Sequence, residues 1–494
     1  MLPPKAHDKA SSPAAAPSPA ATAIAADICI IGAGSGGLSV AAAAAAFGRK
    51  VVLVEKHKMG GDCLNYGCVP SKALIAAAKR AEAMRTAGEF GIVAVEPGID
   101  PRAVHAHVQN VIAAIAPNDS VERFTGLGVR VIQAAGRFVD KHTVVAGEHR
   151  ITARRFVVAT GSSPVVPPIP GLDAVTYFTN ETIFDNAEKL HHLIVIGGGP
   201  IGMELAQAHR RLGARVTIVE GQRALGREDA ELAAVVLRRL AEEGVTIREG
   251  ASVVRVEGGL GRLRVHITTA DGGADVVEGT HLLVAVGRKP NVSDLGLEAA
   301  RITHDAKGIK VNAGCRTSNR RVYAIGDVTG GLQFTHVANY HAGIVIRRAL
   351  FGLPAKVDNR LVPRVTYTEP ELAWVGASED DARKASAKIN VLRWPFAEND
   401  RAQAERVTEG HVKVITDAKG RILGAGIVGH GAGELIQTWT LAISQGLNIK
   451  AMTDMIVPYP TMVEAGKRAS YRFFVTAPAN PWLRKIIEWV AKIG

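Results

Sequence analysis

The sequence predicts an α/β protein with two Rossmann-like domains followed by a separate α+β domain. Three observations predict this fold: a glycine fingerprint that occurs twice, short continuous apolar runs that end at glycine-rich turns, and a change of pattern near residue 360. With 494 residues, the chain is long enough for about two to four domains.

Composition excludes several classes of protein. Hydrophobic residues make up 47% and charged residues 21%, the balance of a soluble globular protein. The longest apolar candidate, Leu38 to Phe47, is well short of the roughly 20 residues of a membrane span. The net charge of +12 is spread thinly along the chain, so we expect no nucleic-acid partner. Four cysteines cannot form a disulfide framework and indicate a reducing, cytoplasmic compartment.

The chain begins with a segment that carries no strand or helix pattern. Residues 1–26 are rich in Ala and Pro, and we interpret them as a disordered tail or a remnant of targeting. Order is expected from Asp27, where the strand Ile28–Ile31 leads into glycines. Continuous apolar runs predict further parallel strands, buried on both faces. They are Val51–Val54, Phe156–Ala159, Leu193–Ile196, Val216–Val219, Leu282–Val286 and Val322–Ile325, within alternating strands and helices that extend to about residue 355.

The fingerprint G-x-G-x-x-G occurs twice, and the two copies are 165 residues apart. Its members are Gly32, Gly34 and Gly37 with Glu55, and Gly197, Gly199 and Gly202 with Glu220. In each copy the glycines follow a buried strand and open a helix, whose N-terminus can bind a pyrophosphate, while the acid accepts ribose hydroxyls. Two dinucleotide sites are therefore predicted; two glycine turns without a ligand are the alternative. A carboxylate at Glu220 would repel a 2′-phosphate and favours NADH, although Arg223 nearby leaves NADPH possible.

A cysteine pair lies in the segment Gly60–Lys72. In an ideal helix, Cα atoms five residues apart are about 8–9 Å from each other, whereas a disulfide requires about 4.4–6.8 Å. If Cys63 and Cys68 pair, the backbone must leave the helix between them, which Gly67 and Pro70 allow. A helix continuing from Pro70 would place Cys68 at its N-terminal end and lower the pKa of the thiol. This favours a redox-active dithiol over two unrelated buried thiols.

The two remaining cysteines, Cys29 and Cys315, have no partner motif and are interpreted as packing residues.

From Asp27 to about Ser470 the chain resembles the class I pyridine nucleotide-disulfide oxidoreductases, which include dihydrolipoyl dehydrogenase, glutathione reductase and mercuric reductase. The resemblance rests on the motifs IGAGSGG, GGDCLNYGCVPSKAL, ATGSSP, VIGGGPIGMELA, VGRKPN, YAIGDV and PTMVE. It implies an FAD-binding domain at 27–165 and 288–355, an NAD(P)-binding domain at 166–287 and a dimerisation domain at 360–472. It also implies a homodimer in which the C-terminal segment of one subunit completes the active site of the other.

The resemblance assigns roles to individual residues. FAD would occupy the first glycine unit, with Thr160, Gly161, Gly326 and Asp327 contributing, and NAD(P)H the second, with Gly287 beside it. Cys68 would be the thiol near the flavin and Cys63 the thiol that meets substrate. Lys72 would lie by the flavin and pair with Glu204.

The chain departs from the family pattern at the C-terminal motif, which usually reads His-Pro-Thr-x-x-Glu. Tyr459 replaces the histidine, with Glu464 retained; an unperturbed tyrosine pKa of about 10 makes it a poor base. His336 or His341 would then be the base, or a structural histidine near the flavin. Tyrosine here resembles mercuric reductases, although we expect neither their C-terminal cysteine pair nor their N-terminal metal-binding domain, because Cys315 is the last cysteine of this sequence and no C-x-x-C motif occurs in it.

The electron acceptor is therefore expected to be a small-molecule disulfide, a soft metal ion or another oxidant. The leading hypothesis is a mercuric reductase-like enzyme. The alternatives are a dihydrolipoyl dehydrogenase and a flavin redox sensor without efficient turnover.

The last segment, 477–494, lies beyond these motifs and predicts an amphipathic helix. At 100° per residue, the apolar residues from Trp482 to Ile493 fall within a sector of roughly 160°, opposite Arg484, Lys485, Glu488 and Lys492. Packing against its own dimer and peripheral contact of 482–493 with a membrane both remain open.

Overall fold

The computed structural model describes residues 22–259, 261–386, 388–475 and 481–493. In residues 22–164 the strands are β1 (Thr22–Ile31), β2 (Val51–Glu55), β3 (Val129–Gln133), β4 (Gly136–Asp140), β5 (Thr143–Ala146), β6 (His149–Val158) and β7 (Ser162–Pro164). The helices are α1 (Ser35–Ala46), α2 (Gly61–Asn65), α3 (Cys68–Thr86), α4 (Pro101–Ile115) and α5 (Val121–Gly126). Strands β3-β2-β1-β6 are parallel neighbours, and β5 and β4 continue the sheet antiparallel.

The first strand starts earlier than expected. Residues Thr22–Ala26 pair in parallel with His149–Ala153 of β6, and Ile24 is buried. The prediction of disorder up to residue 26 was therefore wrong for its last five residues. Alanine is mildly disfavoured in strands, and the backbone pairing with β6 decides the outcome. Residues 1–21 of the predicted tail lie outside the described residues.

The second glycine unit spans residues 192–290. Its elements are β8 (His192–Ile196), α6 (Pro200–Arg211), β9 (Arg215–Val219), α7 (Ala230–Glu242), β10 (Val245–Arg248), β11 (Ser252–Gly259), β12 (Arg262–Thr268), β13 (Ala274–Gly279), β14 (His281–Val284) and β15 (Arg288–Pro290). A parallel sheet, β10-β9-β8-β14, packs against an antiparallel sheet, β11-β12-β13. Strand β15 pairs with β7, so the chain crosses between the two units along one short ribbon.

The chain then returns to the first unit. Residues 304–349 form β16 (His304–Asp305), β17 (Gly308–Ile309), β18 (Val322–Ala324) and α8 (Thr335–Ala349). Strand β18 pairs in parallel with β6, completing a seven-stranded sheet, and α8 packs against α1. This return brings the N-terminus of α8 to the same end of the sheet as the first glycine turn.

The α+β domain is confirmed. Its elements are β19 (Arg364–Thr366), β20 (Glu371–Gly376), α9 (Glu379–Ala385), β21 (Ile389–Pro395), α10 (Asp400–Ala404), β22 (His411–Asp417), β23 (Ile422–Gly429), α11 (Ala432–Ser444), α12 (Ile449–Asp454) and α13 (Val463–Tyr471). The sheet, β19-β20-β23-β22-β21, is antiparallel throughout. Helix α14 (Pro481–Val490) follows; of the predicted segment 477–494, residues 477–480 and 494 lie outside the described residues.

The predicted parallel strands all exist, as β2, β6, β8, β9, β14 and β18. The expectation of simple alternation up to residue 355 missed the antiparallel strands β4–β5 and β11–β13. Burial along β12 alternates residue by residue, so its sequence lacks the continuous apolar run of a strand covered on both faces. In the part of the chain that the structure describes, no helix is long and apolar enough to cross a bilayer.

Candidate active site

The two glycine fingerprints have the same backbone geometry. Gly32 and Gly197 adopt φ of 108° and 110°, in the region that favours glycine. A Cβ on Gly32 would lie 2.3 Å from the Ala159 carbonyl oxygen, and one on Gly197 would lie 2.4 Å from that of Ala285. Only glycine therefore fits the first position of each turn.

The second and third glycines shape the helix that follows. A Cβ on Gly37 or Gly202 would lie 1.9 Å or 2.1 Å from the carbonyl oxygen of the first glycine of the same copy. Gly34 and Gly199 precede α1 and α6 without any side-chain cap, and a Cβ on either would have no neighbour closer than 4.0 Å. Uncapped N–H groups beside open space form a cradle that fits a pyrophosphate.

The acids at the ends of β2 and β9 are held in matching ways. Glu55 accepts hydrogen bonds from the backbone N–H groups of Ala33 and His57, at 2.6 and 2.8 Å. Glu220 accepts equivalent bonds from the residues 165 positions later, Gly198 and Gln222, at 2.7 and 2.8 Å. Each carboxylate is fixed at the rim of its cradle with lone pairs left for ribose hydroxyls.

One cleft of about 1920 Å³ joins both cradles to the cysteine pair. Its wall includes most of the predicted cofactor and redox residues: Gly32, Gly34, Glu55, Cys63, Cys68, Lys72, Thr160, Gly161, Gly197, Gly199, Glu204, Glu220, Gly287, Gly326 and Asp327. Gly37 and Gly202 lie behind the wall, where they pack helix against strand. The cleft is large enough for two dinucleotides that meet near the cysteines.

The far side of the first cradle is formed by the turn after β18. Asp327 is half-buried, which raises the pKa of its carboxyl, and it accepts a hydrogen bond of 2.6 Å from the Ser162 hydroxyl. Thr160 and Asn291 bond each other through side chain and backbone, at 2.8 and 3.0 Å, next to Gly161. A half-buried carboxylate with one hydrogen bond from a protein side chain is suited to accept further hydroxyl donors, such as a ribityl chain.

The backbone between the cysteines leaves the helix, as pairing would require. Helix α2 ends at Asn65 and α3 begins at Cys68, with Gly67 between them at φ −125° and ψ −107°. A Cβ on Gly67 would lie 2.7 Å from a carboxylate oxygen of Asp62. Both cysteines are free thiols in this structure, and Cys68 is the more exposed of the two.

Two helices point their N-termini at Cys68. It is the first residue of α3, and its Sγ lies 3.1 Å from the hydroxyl of Thr335, the first residue of α8. A hydrogen bond from the Cys63 thiol, together with Thr335 and the charge of Lys72, lowers the pKa of Cys68 to about 6. The same bond, and burial, raise the pKa of Cys63. Cys68 is therefore the thiolate of the pair at neutral pH.

Lys72 and Glu204 form the expected ion pair. The Nζ of Lys72 lies 2.8 Å from Oε2 of Glu204, which is almost fully buried. The backbone N–H of Tyr367 donates to the other carboxylate oxygen at 2.9 Å, and the Tyr367 ring lies 4.2 Å from the Lys72 ammonium. The cation is thus held by a carboxylate and an aromatic ring, one turn along α3 from Cys68.

An ion pair that the sequence did not indicate lies directly before Cys63. Arg288, on β15, donates to Asp62 at 2.9 Å and to the Ser162 hydroxyl and Asn180 at 2.8 and 3.1 Å. The Arg288 side chain is only 9% exposed, so it compensates the Asp62 charge inside the protein. Through Ser162 the same network reaches Asp327.

Tyr459 and Glu464 are not brought to the cysteines of the same chain. Tyr459 lies on the α+β domain, 69% exposed, and its hydroxyl donates to Asp400 at 2.8 Å. That bond, with the charges of Asp400 and Glu464, raises the pKa of the Tyr459 hydroxyl. Neither Tyr459 nor Glu464 lines the cleft.

The two histidines considered as substitute bases have different surroundings. His341 is buried behind the flavin-side turn, where its Nδ1 accepts from the Gly326 N–H at 3.2 Å and burial lowers its pKa. His336 lines the cleft, stacks on Phe334 and bonds the Pro363 carbonyl oxygen at 2.8 Å. The arrangement of His341 is that of a structural histidine.

The other two cysteines are packing residues, as predicted. Cys29 and Cys315 are 0% and 1% exposed. Burial raises the pKa of each thiol to about 12.

Comparison with known proteins resolves the family. A family model described as pyridine nucleotide-disulphide oxidoreductase matches residues 26–342, and its dimerisation domain matches residues 362–470. The chain belongs to this family. It is 35% identical to a mercuric reductase of Lysinibacillus sphaericus over 90% of this chain and 82% of that protein. It is 36% identical to a dihydrolipoyl dehydrogenase of Thermus scotoductus over 89% of this chain and 95% of that protein.

Solved structures of the same family superpose over most of the chain. LpdA from Mycobacterium tuberculosis is 29% identical, with a TM-score of 0.83 over 91% of this chain and 99% of that one. The Cu(II) complex of the HOCl-induced flavoprotein disulfide reductase RclA from Escherichia coli is 28% identical, with a TM-score of 0.81 over 90% and 99%.

Family membership makes this protein a flavoprotein oxidoreductase that uses FAD and NAD(P)H. The two cradles, their rim acids and the half-buried Asp327 fit these two dinucleotides. The matched dimerisation domain supports a homodimer.

The sequence analysis did not identify three residues of the site. Thr335 immediately precedes His336, a residue the motif did single out, and a helix start next to a glycine-rich turn would have been the signal. Arg288 lies within the motif VGRKPN, but that motif indicated no contact with Asp62. Nothing in the local sequence of Tyr367 marks it. Both residues reach the site through long-range packing.

Proposed function

We propose that this protein passes electrons from NAD(P)H through Cys63 and Cys68 to a soft metal ion or small-molecule disulfide, with mercuric reductase-like activity. The observation that carries the proposal is the environment of Cys68, a thiolate at two helix N-termini in a cleft shared by two dinucleotide cradles. A thiolate in such a position is a redox group rather than a structural one. A reducing, cytoplasmic compartment suits a pair that must be dithiol for part of each cycle.

Several residues of this chain have separate roles in the reductive half of the cycle. FAD, when bound, would supply the chemistry of hydride acceptance from NAD(P)H and of two-electron reduction of the Cys63–Cys68 disulfide. Cleavage of that bond leaves Cys68 as thiolate, stabilised by the Thr335 hydroxyl and the helix N-termini, while Cys63 takes up a proton. Lys72, held by Glu204, supplies a fixed positive charge beside the pair.

The oxidative half depends on the acceptor. With a disulfide acceptor, Cys63 loses its proton and attacks one sulfur; the acceptor S–S bond breaks and the departing thiolate is protonated. Cys68 then attacks Cys63, the second thiol leaves, and the protein disulfide forms again. The dithiol is oxidised by two electrons and the acceptor reduced by two. A soft metal ion would instead be held between the two thiolates, the ligands that such ions prefer.

The identity of residue 459 favours the metal ion over the disulfide. A departing thiolate needs a proton donor that is protonated again in each turnover. Positioned acid/base groups of this kind typically raise the reaction rate by about 10²–10⁴-fold. Tyr459 can donate a hydrogen bond, but its raised pKa makes it a weaker proton donor than an ordinary tyrosine and leaves even less phenolate to act as a base at neutral pH. We infer that Tyr459 and Glu464 complete the partner subunit's cleft, since Tyr459 is exposed and Glu464 is half-buried on the matched dimerisation domain. The mercuric reductase relatives and the Cu(II) complex of a structural relative support a metal substrate.

A second candidate is dihydrolipoyl dehydrogenase. The 36% identity to one such enzyme and the NADH-favouring Glu220 support it, whereas Tyr459 opposes it. A flavin redox sensor without efficient turnover is the weaker alternative, because both cysteines and the Lys72–Glu204 pair are intact.

The deciding experiment separates the two halves of the cycle. NADH should reduce the FAD-loaded enzyme rapidly in a single turnover, and steady-state assays should then compare Hg(II), Cu(II), lipoamide, glutathione disulfide and quinones. Cys63→Ser and Cys68→Ser should each abolish turnover with Hg(II), while the matched control Cys315→Ser should not. Lipoamide turnover equal to that of a histidine-bearing relative would establish the dihydrolipoyl dehydrogenase alternative. Hg(II) turnover that survives both serine variants would refute the proposal.

A further inference from the structure

Helix α14 differs from the other described α-helices because it buries no residue. Each of the other thirteen α-helices in the described part of the chain buries at least one side chain. Every described residue from Pro481 to Ile493 is exposed. The exposed set includes seven large apolar side chains, each 41–75% exposed: Trp482, Leu483, Ile486, Ile487, Trp489, Val490 and Ile493. So much adjoining apolar surface marks an interaction site.

Apolar and charged residues lie on different sides of α14. Within α14, six of the apolar side chains lie within a sector of roughly 160°, and two of them are tryptophans; Ile493 follows in the turn after the helix. Tryptophan is enriched where an apolar phase meets water. The opposite side of the helix carries Arg484, Lys485 and the acidic Glu488, and Lys492 follows in the turn. This combination of an apolar face and a basic face is that of a helix lying in a lipid interface.

The family dimer does not account for the apolar face. The dimerisation domain matches only to residue 470, and α14 begins at Pro481. The solved relatives are covered over 98–99% of their own length by 90–91% of this chain. The fold that these proteins share, including its dimerisation domain, is therefore complete without α14.

We propose that α14 docks this flavoenzyme on an anionic membrane surface. The apolar face would lie at the boundary between headgroups and acyl chains, with the basic residues against lipid phosphates. Charge complementarity selects this partner, because the helix carries more basic than acidic residues and the whole chain has a net charge of +12. The contact is peripheral.

The first test uses the full-length, FAD-loaded enzyme and two kinds of vesicle. One contains phosphatidylcholine alone, and the other phosphatidylcholine with about 30% phosphatidylglycerol, a content that gives a negative surface potential. The enzyme should sediment with the anionic vesicles at low salt, and its tryptophan fluorescence should shift to shorter wavelength. Removing residues 477–494 should abolish both effects while NADH oxidation remains unchanged.

Point variants separate the apolar contribution from the charge. Trp482→Ala with Trp489→Ala should abolish the fluorescence shift and weaken binding at least tenfold. Lys485→Gln with Lys492→Gln should weaken binding to anionic vesicles by about fivefold per charge, the effect of roughly 1 kcal/mol each near an anionic surface. The matched control is Lys384→Gln with Lys419→Gln, two exposed lysines of the α+β domain, and should bind like wild type.

Three results would overturn the proposal. The first is full-length enzyme that ignores anionic vesicles at low salt. The second is equal binding to neutral and anionic vesicles, which would remove the charge argument. The third is a change of oligomeric state on deletion of 477–494 without vesicle binding, which would assign the apolar face to a second copy of the chain. Analytical ultracentrifugation of both forms measures this last outcome.

Discussion

Replacing Thr335 tests directly whether its hydroxyl keeps Cys68 ionised in this fold. The hydroxyl lies 3.1 Å from the Cys68 Sγ and contributes to a thiol pKa of about 6. Thr335→Val removes the donor with little change of shape, whereas Thr335→Ser retains it. A hydrogen bond to a charged group contributes roughly 1.5–3 kcal/mol, and sulfur is a weak acceptor, so about 1.4 kcal/mol, or one pKa unit, is expected. The pKa of Cys68 should therefore rise from about 6 to about 7 in the valine variant.

The assay is alkylation by iodoacetamide as a function of pH. A Cys63→Ser background leaves Cys68 as the reactive thiol, because burial raises the pKa of Cys29 and Cys315 to about 12. The serine hydroxyl can donate to the thiolate as the Cys63 thiol does. Intrinsic nucleophilicity rises about threefold per pKa unit, so the plateau rate should increase in Thr335→Val even as the midpoint moves up. The midpoint of the rate profile is therefore the quantity to compare.

The same change can be followed in the holoenzyme. A thiolate next to the flavin gives a long-wavelength absorbance band, and its pH midpoint should move with that of alkylation. Cys68→Ser should abolish this band. An unchanged midpoint in Thr335→Val, or an equal shift in Thr335→Ser, would refute the role of the hydroxyl and leave the helix N-termini as the source of the low pKa.

Three further predictions address the cofactor, the stability and the acceptor. Wild type should have a higher kcat/KM with NADH than with NADPH, and Glu220→Arg should move this ratio towards NADPH by roughly tenfold, or about 1.4 kcal/mol; Glu220→Gln is the control for the lost backbone bonds, and equal use of NADPH by wild type would contradict the reasoning. Burial and the charge of His281 lower the pKa of His209 to about 4 in the folded state. In the unfolded state His209 takes up a proton below about pH 6.5, so protonation favours unfolding at lower pH. Stability should therefore fall as pH drops from about 6.5 towards 4, by about 2 kcal/mol at pH 5, and His209→Phe should flatten this part of the denaturation profile; an unchanged profile would exclude His209 as its source. Tyr459→His should raise turnover with lipoamide or glutathione disulfide by about tenfold or more without changing single-turnover reduction by NADH, and an unchanged disulfide rate would show that residue 459 does not limit it.

Local backbone requirements explain why the cofactor cradles could be predicted. Gly32 and Gly197 must adopt φ near 110°, and the helix and acid that follow each of them lie within one βαβ unit. The break between Cys63 and Cys68 is equally local, because Gly67 and Pro70 determine it within a few residues. The start of β1 was predicted wrongly because pairing with β6, more than a hundred residues away, determines it.

The amino-acid sequence by itself therefore determined the two dinucleotide cradles, the cysteine pair and the family, since each depends on residues close together in the chain. The position of Cys68 at the start of a helix already indicated which cysteine is the thiolate, but only the tertiary structure decided what surrounds it. Thr335 is 267 residues from Cys68, and Arg288 is 226 residues from Asp62. Long-range packing brings α8 and β15 to the cleft, and no periodicity or motif near either cysteine encodes that approach. The electrostatics of the dithiol are for this reason a property of the fold.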